Sequence, residues 1–358
     1  MRKHKLAPFI IFAYLLVAPF AVQAAKINFP DILGYKTLKC DFHMHTVFSD
    51  GQVWPTTRVD EAAREGLDAI AITDHIEYQP HKDDIPTNHG RSNQIAEGTA
   101  RKRKILFPLA AEITRSTPPG HFNALFLRDV RYLDTEEFLD AVKAANDQDA
   151  FVFWNHPDWK EEYKGWFDVH DTLYENKWIH GIEVANGGGY HLNGHIWGLE
   201  KNLTMLGTSD MHGPSLITET TPENHRTMTL VFVKERTPEA LKEALIKGRT
   251  AVWFKNQLIA KEDFLEAIFA ASVKVIDVYK KGDRKVFLEV ANKCDLNIEL
   301  RRTGMVGPAE VILPAMETTT IRLRVQEDIK NIVLPYVAGN MLIAPEKGLP
   351  VKFSVSVE

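Results

Sequence analysis

The chain has 358 residues, of which 44% are hydrophobic and 25% are charged. This composition is that of an ordinary globular protein, and it excludes the disordered and collagen-like classes. The chain carries 43 basic and 48 acidic residues, a net charge of −5, so a dedicated nucleic-acid groove is not expected. Two cysteines, Cys40 and Cys294, are too few for a disulfide scaffold, and we expect both to be buried thiols.

The first 25 residues predict an export signal. A basic start precedes an apolar run at 6–22, and small residues follow at the spacing that signal peptidases read. Pro8 and Pro19 interrupt a run that is marginal for a bilayer span of about 20 residues, which favours cleavage over anchoring. We therefore expect an exported protein, periplasmic or extracellular if its source is bacterial, with no transmembrane anchor after signal cleavage.

Residues 26–258 predict an α/β domain, because short apolar runs alternate with amphipathic stretches as strands and helices do in an α/β sheet or barrel. Helices are expected between the strands, among them 57–65 and 237–247, each followed by a glycine. The predicted strands are 38–42, 69–73, 105–111, 122–127, 150–154, 181–185, 203–208, 227–233 and 250–254.

Residues 259–358 have a different pattern of apolar and polar residues. A helical run at 264–271 leads into segments that alternate apolar and polar residues, at 285–291, 296–302, 319–325 and 351–357. Such alternation is typical of antiparallel strands with one buried face. The pattern predicts a helical bridge followed by a small antiparallel β domain.

Metal-ligand side chains follow several of the predicted strands. His43 and His45 share one side of the first strand, because side chains alternate along a strand. Other strands end near His75, Glu112, His156, Asp210 and His212. Since the loops at the carboxyl ends of parallel strands converge on one opening, we expect these residues to share one site.

Imidazole and carboxylate ligands without a nearby cysteine suit zinc, iron or manganese better than calcium. The candidates outnumber what one ion takes, so the pattern predicts two or three divalent metal ions. Neighbouring ions can hold a bridging hydroxide and clamp the oxygens of an in-line displacement, which phosphate ester hydrolysis requires.

The ordered motifs resemble those of the PHP (polymerase and histidinol phosphatase) family over roughly residues 36–255. They are His43-x-His45 followed by Ser49-Asp50-Gly51, Thr73-Asp74-His75, Glu112, Gly120-His121, Asn155-His156-Pro157 and Asp210-x-His212. The resemblance implies a distorted (β/α)7 barrel with a trinuclear metal site at the carboxyl ends of the strands.

Carried over position by position, the resemblance implies three ligand sets. One metal is held by His43, His45, Glu112 and Asp210. A second shares Glu112 and takes His121 and His156. The third is held by Asp50, His75 and His212, and Asp50 stands where other members of the family use histidine. Asp41 and Asp74, next to ligands, are expected to orient imidazoles through their free ring N–H groups.

The leading hypothesis is an exported phosphoesterase that hydrolyses a small phosphate mono- or diester, with a metal-bridged hydroxide as nucleophile and Glu112, Asp210 and His212 as catalytic residues. His212 is a candidate for protonating the leaving group. The candidates for substrate binding are Arg226 and Arg115, which could grip phosphate bidentately, and Asn186. His191 and His195, four apart on a predicted helix, are expected on a half-exposed face.

Two alternatives stay open. A metal-activated hydroxide attacks carbonyl carbon equally well, so amide or lactone hydrolysis is the second hypothesis. The third is a non-catalytic binding protein whose β tail docks a polysaccharide or a partner. The intact set of candidate ligands counts against this third hypothesis.

Overall fold

The computed structural model describes residues 26–85, 88–160, 164–327 and 329–357. The predicted export signal lies outside these residues. In the described part of the chain, no helix combines the length and apolar character that a membrane crossing requires. Both cysteines are buried free thiols, as expected.

The first part of the chain alternates strands with helices. The strands are β1 (Lys36–Asp41), β2 (Ala69–Ile70), β3 (Ala110–Thr114), β4 (His121–Leu125), β5 (Phe151–Trp154), β6 (Gly181–Asn186), β7 (Gly189–Tyr190), β8 (Thr204–Thr208), β9 (Met228–Val233), β10 (Thr250–Phe254) and β11 (Gln257–Ala260). The helices are α1 (Pro55–Arg64), α2 (Arg91–Arg103), α3 (Phe138–Asn146), α4 (Asp168–Glu175), α5 (Leu192–Glu200) and α6 (Pro238–Ile246), with a 3-10 turn at Val130–Leu133.

These strands form two sheets whose edges meet. One sheet carries the order β11-β10-β9-β1-β2, and the other carries β3-β4-β5-β6-β7 with β8 beside β6. Isolated bridges between Ala69 and Leu106 and between His75 and Glu112 join β2 to β3. On the opposite side, the Thr229 hydroxyl accepts from Gly207 N–H at 3.0 Å and donates to Gly207 C=O at 2.8 Å, linking β9 to β8. The result is a distorted barrel.

The barrel is mixed rather than parallel throughout. β1 pairs parallel with β2, and β6 pairs parallel with β5 and β8, whereas β4 runs antiparallel to both β3 and β5. This reversal has a consequence for the site. Because β4 runs the other way, its first residue lies at the rim where β5 ends, so His121 reaches the same opening as His156.

The last part of the chain forms a β sandwich after helix α7 (Glu262–Ser272). Its core includes Leu288 and Leu323 from one sheet and Leu300 and Leu334 from the other. One sheet contains β12 (Val273–Lys280), β13 (Lys285–Asn292) and β16 (Thr318–Arg324), and the other contains β14 (Ile298–Arg302), β15 (Glu310–Leu313), β17 (Asn331–Ala344) and β18 (Lys347–Ser356).

The two parts of the molecule share a sheet. Strand β17 pairs parallel with β11, with Leu258 opposite Met341 and Ile259 opposite Leu342. Strand β17 was not predicted, because Pro335 and Gly339 interrupt its alternation. Its length lets it pair with β18 and β14 in the sandwich and with β11 in the barrel. The barrel and the sandwich are therefore fused through main-chain hydrogen bonds.

Candidate metal centre

The predicted ligands converge at one rim of the barrel. Asp210 N–H donates to His43 C=O at 2.9 Å, and His45 N–H donates to Met211 C=O at 3.0 Å, so the segments after β1 and β8 run side by side. The bridge between His75 and Glu112 does the same for β2 and β3. His156 and Asp210 have positive φ angles of 29° and 50°. Such strained backbone is typical of functional sites, where surrounding contacts hold it in place.

The first expected ligand set is assembled. Nε2 of His43 lies 3.1 Å from both Glu112 Oε2 and Asp210 Oδ1. Nε2 of His45 lies 3.2 Å and 3.1 Å from the same two oxygens. These separations resemble the ligand-to-ligand edges around a single ion with bonds of about 2.0–2.2 Å.

The second expected set is divided in the structure. Glu112 turns its other oxygen, Oε1, toward Nδ1 of His121 at 2.9 Å, so this carboxylate faces two different groups of imidazoles. His156 is grouped instead with His43 and Asp210, while His121 is grouped with Glu112 and His75. The imidazoles of His121 and His156 still contact each other, with ring centroids 5.0 Å apart.

The third expected set is also assembled, with one addition. Asp50 Oδ1 lies 3.2 Å from Nε2 of His212 and 3.5 Å from Nε2 of His75. The imidazole of His45 stacks against both of these rings, with centroids 4.3 Å from His212 and 4.5 Å from His75. Asp50 therefore belongs to a group of side chains that could hold a metal ion, and this group also includes His45.

The chemistry of this donor set fits metal ions. Nε2 of His45, Oε1 of Glu112 and Nδ1 of His121 are buried without a hydrogen-bond partner. A neutral imidazole nitrogen and a carboxylate oxygen both present lone pairs, which repel unless a cation or a proton lies between them. Buried polar atoms without partners are rare in folded proteins, and divalent ions would satisfy all three.

The pKa shifts of three predicted ligands indicate that positive charge is favoured in the site. Burial alone would lower the pKa of His45, but the adjacent carboxylates of Asp210 and Glu112 raise it to about 9. Burial alone would raise the pKa of Glu112, yet the imidazoles of His75 and His43 hold it well below its usual range. The pKa of Asp210 is also low, because the imidazoles of His43 and His45 outweigh its burial.

Glu183 is the carboxylate that orients a ligand imidazole, and the sequence analysis missed it. It accepts a hydrogen bond from Nδ1 of His43 at 2.8 Å and from the backbone N–H of His156 at 2.7 Å. Thr208 and Asn186 donate to it as well. A signal was present, since Glu183 is a fully buried acid in an otherwise apolar strand.

The two aspartates expected in this role act differently. Asp41 accepts hydrogen bonds from Ser209 and Arg226, and no hydrogen bond or ion pair joins it to an imidazole among the described residues. Asp74 accepts from Thr46 and from the Ser49 hydroxyl, which lies 3.4 Å from Nδ1 of His45. Asp41 therefore stabilises the segment after β8, and Asp74 reaches an imidazole only through Ser49.

The expected substrate arginines are not free to bind phosphate. The Arg226 side chain is 1% exposed and is paired with Asp41 at 3.0 Å and Glu65 at 2.8 Å. Arg115 is paired with Glu77 and donates to Thr135 C=O. Their predicted role as phosphate ligands is corrected accordingly, because both guanidinium groups pair with nearby acids and neither arginine lines the cavity. Asn186 does line the site, and its amide nitrogen donates to Glu183.

Arg58 is a second residue that the sequence analysis missed. Its fully buried guanidinium donates to the carbonyl groups of His45, Met211, His212 and Gly213 and to the carboxylate of Glu61. It therefore clamps the two segments that carry His45 and His212. The available signal was a charged pair spaced i, i+3 on the face of α1 that also carries the buried Ala62.

The site opens into a cavity of about 520 Å³. Its lining combines predicted metal ligands with a wall formed by Asp158, Trp159, Tyr190 and His191. His191 and His195 are both buried, which corrects the expectation of a half-exposed face, because α5 packs directly on β6. Gly194 permits this packing, since a Cβ atom there would lie 2.3 Å from the Glu183 carbonyl oxygen.

Comparison with known proteins agrees with this architecture. A family model described as the PHP domain matches residues 41–196, and one described as an Ig-like domain matches residues 272–354. A solved structure from Bacteroides vulgatus, a two-domain protein containing a predicted PHP-like metal-dependent phosphoesterase, is 43% identical with a TM-score of 0.88. The match covers 93% of this chain and 99% of that chain.

The chain therefore belongs to the PHP-like metal-dependent phosphoesterases, a class of hydrolases, and its C-terminal domain is Ig-like. This confirms the predicted family and the α/β class with a C-terminal antiparallel β domain.

Other matches cover only a short segment of this chain or have a low structural similarity. An uncharacterized protein of Methanocaldococcus jannaschii is 46% identical over 46 residues, which span 13% of this chain and 21% of that protein. A solved structure from Bifidobacterium adolescentis is 16% identical over 58% of this chain and 96% of its own, with a TM-score of 0.41.

Proposed function

We propose that this protein hydrolyses a small phosphate mono- or diester at a site that binds two or three divalent metal ions, with zinc, manganese or iron as the candidates. The observation that carries the proposal is the position of Glu112. This buried carboxylate faces His43 and His45 with one oxygen and His121 with the other. A carboxylate shared between two imidazole groups is what a multinuclear site requires.

Bound metal ions would supply positive charge that acidifies water and stabilises the phosphoryl oxygens. The described residues that line the cavity include no lysine or arginine. Among these residues a phosphoryl group would meet no lysine or arginine, which supports a reaction that depends on metal.

The chain's own residues hold the site rigid. Glu183 accepts the Nδ1 proton of His43 and leaves Nε2 free to act as a ligand. Nδ1 of His212 lies 2.8 Å from Asp210 C=O, a contact in which the ring nitrogen must donate. The Nε2 lone pair of His212 then faces Asp50, which favours His212 as a metal ligand over a proton donor to the leaving group.

We also propose that the protein is exported, on the evidence of the basic start and apolar run in residues 1–25. Cell fractionation followed by mass measurement of the mature protein tests this part separately. A periplasmic or secreted chain that lacks about its first 25 residues is expected. A cytoplasmic chain of full length would contradict the proposal.

The main experiment compares the wild type with Glu112→Gln after loading with manganese, zinc or iron. The substrates are p-nitrophenyl phosphate, bis-p-nitrophenyl phosphate, p-nitrophenyl acetate and a nitroanilide, and metal per chain is measured by mass spectrometry. Glu97→Gln is the matched control, because Glu97 is exposed on α2 and paired only with Arg101. We expect the wild type and Glu97→Gln to cleave a phosphate ester, and Glu112→Gln to lose both metal and activity.

The other outcomes separate the alternatives. Full metal content with cleavage of only the acetate or the anilide would identify a carbonyl hydrolase. Full metal content without any turnover would favour the non-catalytic binding protein. Either result would overturn the phosphoesterase proposal.

A further inference from the structure

The part of the cavity wall formed by Asp158, Trp159, Tyr190 and His191 contains a buried side chain that has no hydrogen-bond partner among the described residues. His191 is 7% exposed and lines the cavity, and neither of its ring nitrogens has a hydrogen-bond partner within the part of the chain that the structure describes. Its position is fixed from behind, since its backbone N–H donates to Val184 C=O at 2.9 Å and it immediately precedes α5. His191 is not among the grouped metal ligands.

The neighbours of His191 are polar and predominantly acidic. Asp158 lines the same wall and is held by the backbone N–H and side-chain amide of Asn193, at 2.9 Å and 2.8 Å. The charges that act on His191 are those of Glu183, Asp158 and Asp210, opposed by Lys164. Tyr190 also lines this wall, and its hydroxyl lies 2.7 Å from Nδ1 of the buried His195. An anionic group on the substrate would meet repulsion from Asp158 here.

The hydrogen-bonding capacity of His191 favours a ligand that carries both donors and acceptors. Burial lowers the pKa of His191, so its neutral imidazole offers one N–H donor and one acceptor nitrogen. A phosphate or carboxylate oxygen can only accept and would satisfy one of the two nitrogens. Hydroxyl groups both donate and accept, so neighbouring hydroxyls can satisfy both nitrogens. Trp159, which is 62% exposed at the edge of the cavity, adds the apolar surface that ligand pockets commonly provide.

We infer that the wall formed by Asp158, Tyr190 and His191 binds the hydroxyl groups of an uncharged, polyhydroxylated leaving alcohol, such as the ring of a sugar or cyclitol phosphate. This inference rests on the proposed phosphoesterase function and specifies its substrate class. The metal ligands face the phosphoryl end of the cavity, and the wall faces the alcohol end. The cavity of about 520 Å³ is within the range of small-molecule sites.

The test compares two esters that differ in their hydroxyl groups, myo-inositol 1-phosphate and cyclohexyl phosphate. We expect the wild type to favour the inositol ester by about tenfold or more in kcat/KM, because sites built to bond a hydroxyl discriminate against analogues that lack it. His191→Phe keeps a ring of similar shape without nitrogen atoms and should reduce this preference about tenfold, mainly by raising KM for the inositol ester.

Two further variants control the interpretation. His191→Gln restores a donor and an acceptor and should recover part of the preference for the inositol ester. If His191→Phe does not fold, His191→Gln is compared with the wild type in its place. His81→Ala alters an exposed histidine outside the cavity lining and should leave the preference unchanged. Saturation-transfer NMR gives a readout independent of turnover: inositol ring protons should receive saturation from the wild type and lose it in His191→Phe.

The inference is overturned if the wild type shows no preference, or if His191→Phe changes both esters by the same factor. In either case, continued hydrolysis of cyclohexyl phosphate would leave the phosphoesterase proposal standing. If neither of these esters and neither p-nitrophenyl phosphate ester is cleaved at full metal content, the proposed function fails. In that case, saturation transfer to the inositol ring would still show whether this wall binds hydroxyl groups.

Discussion

Arg58 gives the sharpest test of how the fold holds the metal ligands. Its side chain is completely buried, and all its hydrogen-bond partners lie within 2.9 Å. Four of these partners are backbone carbonyl groups, including those of His45 and His212. In Arg58→Lys the ammonium group has three donors where the guanidinium has five, so at least two partners are left unpaired.

The expected cost can be worked from these contacts. Hydrogen bonds to a charged group contribute about 1.5–3 kcal/mol each, so losing two costs about 3–6 kcal/mol. This is a large share of a typical unfolding free energy of about 5–15 kcal/mol. We expect a lower urea midpoint with an unchanged m-value, and a loss of metal first from the set containing Asp50, His75 and His212.

Arg64→Lys is the matched control for this measurement. Arg64 lies on the same helix and donates to the carbonyl groups of Ser215 and Ile217, but its side chain is 32% exposed. We expect its free energy of unfolding to change by about 1 kcal/mol or less. If Arg58→Lys unfolds at the wild-type urea concentration and retains its full metal content, the clamp explanation is wrong.

Three further predictions concern other parts of the molecule. Glu183→Gln should weaken metal binding about 10- to 100-fold in a metal titration, because the group that orients His43 loses its charge; wild-type affinity would contradict this role. His170, His180 and His195 have pKa values lowered to about 4 by burial. The unfolded chain binds more protons there, so stability should be complete above about pH 6.5 and fall toward pH 4, a loss that pH-dependent urea melts would detect or refute. A chain that ends after Ser272 leaves β11 without β17 and exposes the edge at Leu258 and Ile259. It should aggregate in size-exclusion chromatography, whereas a monomeric, metal-binding fragment would show that the shared sheet is dispensable.

Most of the barrel was predictable from the sequence, because its strands are short and several of them are runs of mainly apolar residues. The strand predicted at 150–154 is observed as β5 and that at 227–233 as β9, both buried along their whole length. The prediction at 105–111 was shifted, since the observed strand β3 covers Ala110–Thr114. Leu106 forms only an isolated bridge with Ala69, and apolar periodicity does not distinguish a bridge from a strand.

The candidate site was predictable as a set of residue types but not as a geometry. The histidine and carboxylate motifs indicated a shared metal site, and their side chains lie at one rim. Which oxygen of Glu112 faces which imidazole depends on side-chain rotamers. The roles of Glu183 and Arg58 depend on partners far away in sequence, such as His43 and Met211. The type of a residue and its neighbours in sequence do not reveal these distant hydrogen-bond partners.

The sequence by itself determined the family, the α/β class with a β-rich tail, and the ligand types, because these follow from local patterns of hydrophobic, imidazole and carboxylate side chains. Tertiary structure alone decided the reversed direction of β4, the fusion of barrel and sandwich through β11 and β17, and the burial of Arg226 and His191. Each of these is a long-range pairing or packing event. Its free energy depends on which surfaces meet, and that is settled only when the whole chain folds.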